Sequence, residues 1–144
     1  TQQVSSAASD VYKRQSYQQL HRDGLAVDRR RRLSAEEPEE QAYVAECLNH
    51  TTGPIIAVSD YQKALPTLIS PFLNRGVHVL GTDGYGRSGS REDLRDFFEV
   101  DRRHIAYAAL KELSRGGIVS SKELTQARNK LGIEVDPCLD PATQ

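Results

Sequence analysis

The chain has 144 residues, a formal net charge of −1, 38% hydrophobic and 27% charged residues, a balance that fits one globular domain and excludes a disordered or low-complexity polymer. The even charge leaves no basic footprint for nucleic acid or an anionic membrane, and no run approaches the roughly 18 apolar residues of a membrane span. Cys47 and Cys138 are the only cysteines and lie far apart, which argues against a disulfide framework and for reduced thiols in a cytoplasmic setting.

The first stretch, "SSAASDVYKRQ" (Ser5–Gln15), has one buried-looking residue, Val11, amid small and charged ones. It resembles the translation of a transposase-type sequencing-library adapter, so residues 1–15 are set apart from the fold as a non-native, disordered head. Met is absent, including at position 1, and the chain is expected to be part of a longer protein. The domain itself is expected over 16–135, with a flexible tail over 136–144.

Ser16 to His21 reads as one helical turn with Ser16 as its cap. Arg29–Arg32 followed by Glu36, Glu37, Glu39 and Glu40 reads as a solvated charged loop. "RRLS" (Arg31–Ser34) matches a basophilic kinase pattern, as short charged loops often do by chance. Gln41–Asn49 places Tyr43, Val44, Cys47 and Leu48 on one face of a short helix. "GPIIAVS" (Gly53–Ser59) is a continuous apolar run of strand length, suited to burial on both faces in a parallel sheet. In "SDYQKALPTLISPF" Tyr61, Ala64, Leu65, Leu68 and Ile69 form a helical stripe, in which Pro66 should make a kink or start a new turn.

A second strand is predicted over Val77–Leu80, ending in a glycine-rich turn. Three helices follow. The first covers about 91–98 with Ser90 as cap and Asp93 three residues on. The second covers about 102–114 with Asp101 as cap and Gly116 as stop. The third covers about 121–131, with Ser120 and Glu123 as a capping box and Gly132 ending it.

Strand–helix–strand–helix order implies an α/β layer fold. Two strands leave an apolar face uncovered, so further strands are expected upstream. Ile55, Ile56, Val58, Val77 and Val79 would then face solvent. Losing a few hundred Å² of burial at about 25 cal/mol per Å² rivals a domain's whole stability. Expressed alone, the chain is expected to be loosely folded or aggregated through its strand edges.

Gly84, Gly86 and Gly89 form a literal GxGxxG between a strand and a helix. The dinucleotide fingerprint also needs a second strand ending in an acidic residue about 20 residues on. Here the chain runs from helix to helix and Asp101 caps one of them, so a tight strand-to-helix turn is the reading. His21, His50, His78 and His104 are scattered, none paired at i, i+4 or with Cys at ligand spacing, which speaks against a metal site. His104 reads as a surface or capping residue.

The block "VSDYQKALP…VLGTDGYGRSGSREDLRDFFEVDRRHIAYAAL", with "SYQQLHRDG" (Ser16–Gly24) ahead of it, closely resembles the C-terminal domain of the homodimeric, thiamine-diphosphate-dependent pyruvate dehydrogenase component. The matching stretches are Ser59–Pro66, Leu80–Asp101 and Ile105–Ile118. Three departures stand out. Gly89 replaces the family's usual Asp and creates the GxGxxG, Gln62 replaces a Met, and "RRRRLSAEEP" replaces an Arg-Trp-Asn-x-Leu-His-Pro segment.

The resemblance implies a truncated transketolase C-terminal-like, Rossmann-like α/β domain, with a short, mainly parallel sheet and flanking helices. Enzymes of this kind decarboxylate pyruvate on thiamine diphosphate with magnesium, and pass acetyl groups to the lipoyl arm of the dihydrolipoyl acetyltransferase component. In the family that cofactor site lies on other domains and their dimer interface. No catalytic, cofactor-binding or metal-binding residue is therefore assigned to this chain, and the chain alone is expected to be inactive. Asp83 is expected to brace the Gly84–Gly86 turn by accepting its amide hydrogens. Arg87 is expected to reach a carboxylate on a neighbouring helix or on the partner subunit. The alternative is a stand-alone α/β binding module that shares the fold. Sequence upstream would separate the two, since the enzyme would carry a Gly-Asp-Gly…Asn-Asn cofactor motif there.

Overall fold

The computed structural model describes residues 17–35 and 40–134. The Ser16 cap, the head over 1–15, Glu36, Glu37, Glu39 and the tail over 136–144 lie outside the described residues.

Helix α1 spans Tyr17–Leu33 and is the first departure from expectation. One turn and a charged loop were expected; a single helix of 17 residues runs on from the turn through the arginines of that loop, Arg29–Arg32. Arginine is a good helix former, and Arg30, Arg31 and Arg32 fill the last turn, where cations complement the exposed carbonyls. Gly24 does not break the helix because the ring of Phe72 packs against it. A Cβ there would meet three Phe72 ring carbons at 2.4–2.6 Å.

Helix α2 (Tyr43–Leu48) follows, and its ends are held from a distance. Its N-cap, Ala42, has no side-chain acceptor. Instead the Tyr43 N–H donates to Asp23 Oδ2 on α1 at 2.7 Å. At the other end the Arg75 guanidinium donates to the Leu48 carbonyl at 2.9 Å and to both the carbonyl and the hydroxyl of Thr51. The core sits here: Ala42, Val44, Ala45 and Ile69 are buried, with Tyr17, Leu20, Leu48, Phe72 and Leu73 packed around them.

Strands β1 (Ile55–Val58) and β2 (Val77–Leu80) pair in parallel, with Ile55 opposite Val77 and Val58 opposite Leu80. Between them the expected long helix is only α3 (Ala64–Thr67) and a 3₁₀ turn (Ser70–Phe72). Two prolines account for this. Pro66 lies in the first turn of α3, where its missing N–H costs nothing, and Pro71 lies in the first turn of the 3₁₀ segment. Pro66 is the largest wholly buried side chain among the described residues.

Helix α4 (Arg91–Phe97), α5 (Arg102–Arg115) and α6 (Ser121–Leu131) complete the order. The α5 helix packs on both strands and α6 packs on α5. None of the eight strand residues is fully buried, and Val58 is 38% exposed. The α/β layer is as expected, but of the five strand residues expected to face solvent only Val58 is exposed, and Ile55, Ile56, Val77 and Val79 are half-buried. No helix among the described residues is long and apolar enough to cross a membrane.

Candidate functional site

In open parallel sheets, ligands settle at the carboxyl ends of the strands. Here those ends are zipped together. The Ser59 N–H donates to the Leu80 carbonyl at 2.9 Å and the Thr82 N–H to the Tyr61 carbonyl at 3.0 Å. The Lys63 N–H then donates to Asp83 Oδ1 at 3.0 Å. The approach is so close that a Cβ at Gly81 would lie 2.7 Å from the Tyr61 carbonyl oxygen. Asp83 was expected to hold the turn that follows it. It holds the loop after β1 instead, because the parallel ladder carries that loop's amide alongside it.

The glycine turn beyond is exposed, with Gly84 at φ +107° and Tyr85 82% exposed. Arg87 was expected to find a carboxylate; its guanidinium lies over the Phe97 ring at 4.1 Å. Phe97 in turn meets Phe98 edge-on, at 5.0 Å between centroids. The acceptor it meets on α4 is an aromatic face, and a planar guanidinium stacks on it well. At the helix start, Ser90 Oγ accepts the Asp93 N–H at 3.2 Å and donates to Asp93 Oδ2 at 2.6 Å. Glu92 and Asp93 occupy the first turn. A diphosphate placed on this helix end would face two carboxylates, so the GxGxxG and α4 do not fit an anionic cofactor.

A second group of polar residues lies at the α4–α5 junction. Asp101 caps α5, its Oδ1 accepting from Arg103 N–H at 3.1 Å and His104 N–H at 2.9 Å. The His104 ring Nδ1 lies 2.7 Å from the same oxygen, and Arg103 Nε donates to Oδ2 at 2.6 Å. Burial works against the charged carboxylate, but these hydrogen bonds outweigh it and bring Asp101 down to about 2. Asp96, Asp101 and His104 offer ligand atoms within 4.8 Å of one another. The sequence reading missed this group because Asp96 comes from another helix. The Arg103 guanidinium bonds both carboxylates, so a cation already sits among them.

The other histidines stay apart. His78 Nδ1 is 3.5 Å from Glu112, His50 Nδ1 is 3.1 Å from the Glu46 carbonyl, and the His21 ring lies beside Phe72. Sequence reasoning also passed over Asp23 and Arg75, whose roles depend on partners more than 19 residues away. A cleft of about 430 Å³ between α1, α2 and the 3₁₀ turn is lined by Val27, Arg31, Ala45, Asn49, Phe72 and Asn74, among others.

A parallel pair with helices packed on it and a zipped carboxyl end defines an α/β domain. Residues 2–101 match the model of the transketolase-like TK C-terminal domain, a span that takes in the head as well. The chain belongs to this transketolase-like C-terminal domain family. It is similar to the pyruvate dehydrogenase E1 component of Pseudomonas aeruginosa, 44% identical over 127 residues and 88% of this chain. The proteins of the same name from Cupriavidus necator and Escherichia coli K12 are 40% and 38% identical, over 88% and 89% of this chain. The chain spans 14% of the length of each of these relatives.

Proposed function

We propose that the chain serves as the C-terminal, structural domain of a pyruvate dehydrogenase E1-type subunit. Such a subunit works as a cytoplasmic homodimer, oxidatively decarboxylates pyruvate and hands acetyl groups to the dihydrolipoyl acetyltransferase component. Thiamine diphosphate with magnesium supplies the electron sink in that chemistry. The GxGxxG turn does not fit that cofactor, because it leads into a helix start carrying Glu92 and Asp93. This chain's contribution is scaffold: it completes a sheet and supports the dimer.

The observation that carries the reading is the similarity of nearly the whole chain to three E1 components, at 38–44% identity. The site geometry agrees with it. Asp83, Asp101, Arg87 and Arg75 are each committed to an internal contact, to a backbone amide, a helix start, an aromatic ring and a helix end.

The test is a chimera in which this chain replaces the matched segment of the Pseudomonas aeruginosa E1 component. It should dimerise and decarboxylate pyruvate within several-fold of the parent rate. A chimera that folds and dimerises yet turns over no pyruvate would overturn the reading and favour the stand-alone binding module.

A further inference from the structure

We draw no further inference here: the strongest candidate, the open cleft of about 430 Å³ between α1, α2 and the 3₁₀ turn, carries nothing, because the Asn49 side chain on its wall already bonds the Asn74 amide and nothing in the structure shows what would fill it.

Discussion

Asp83 accepts the backbone N–H of Lys63 at 3.0 Å, twenty residues back along the chain. The bond extends the parallel ladder past the last strand pair, Val58 and Leu80, and ties the loop after β2 to the loop after β1. Replacing Asp83 with Ala leaves that amide without its acceptor, at a cost of about 1 kcal/mol for a half-buried group, or roughly fivefold in local opening. Hydrogen exchange at the Lys63 amide should quicken by that factor in Asp83→Ala and stay near the parent rate in Asp83→Asn, which keeps an acceptor oxygen. Equal rates in all three chains would show that the bond does not hold the loop.

Gly24 and Gly81 are both closely approached, but by different kinds of atom. At Gly24 the neighbour is the Phe72 ring, and at Gly81 it is the Tyr61 carbonyl oxygen. Overpacking costs about 1–3 kcal/mol where neighbours cannot move aside. In the E1 chimera, Gly24→Ala should lower the urea midpoint, and Phe72→Leu in the same chimera should recover part of the loss. Gly81→Ala should show no such rescue by shortening a side chain, since backbone is in the way. Full tolerance of Gly24→Ala would mean that Phe72 is free to rotate off α1.

Three helices end in the same way. In α4, α5 and α6 an amide bonds the carbonyl five residues back, as Val100 to Arg95, Ile118 to Leu113 and Ile133 to Arg128. The residue before that amide is left-handed in each: Glu99 at φ +57°, Gly117 at φ +76° and Gly132 at φ +64°. Glu99 stands where the other two helices use glycine. A side chain in this conformation costs about 1–2 kcal/mol, and glycine's own entropy returns part of that. In the E1 chimera, Glu99→Gly should therefore be stabilising by a few tenths to about 1 kcal/mol, read as a raised urea midpoint. A lowered midpoint would refute the strain argument.

The same junction shows what the sequence made legible. Ser90, Asp101 and the Ser120–Glu123 box were readable because a cap and its amide lie within three residues, and all three form. Both strands were readable from short apolar runs bounded by turn residues. The stop of α5 at Gly116 forms too, as the helix C-cap, but composition does not say which of the two adjacent glycines is left-handed, and it is Gly117. Nothing in "FEVD" marks Glu99 for that role. The length of α1 and the capping of α2 were hidden for another reason: Phe72, Asp23 and Arg75 act across 20 to 48 residues, a distance that periodicity cannot span.

Asp101 gives the chain an acid-sensitive element. Its folded carboxyl lies at about 2, below the ordinary value of 3.8. A depressed acid stabilises the fold above its unfolded value and loses that contribution as the pH falls through the folded one. Helical signal should therefore decline between about pH 4 and pH 2. In Asp101→Asn, which keeps acceptor oxygen but cannot titrate, the slope across that window should flatten while stability at pH 7 falls. An unchanged acid slope in the variant would assign the loss to other carboxylates.

Arg87 distinguishes a scaffold role from a catalytic one. Its guanidinium rests on Phe97 and so pins the exposed glycine turn to α4. An exposed cation–π contact is worth about 0.5–1 kcal/mol. In the E1 chimera, Arg87→Ala should loosen the turn and lower thermal stability or dimer affinity, while turnover per intact dimer and its pH profile stay unchanged. Phe97→Leu should reproduce the effect, since it removes the face on which the cation sits, and Arg87→Lys should keep part of it. Should turnover collapse in a dimer of undiminished stability, Arg87 would belong to the reacting centre and the scaffold assignment would fail.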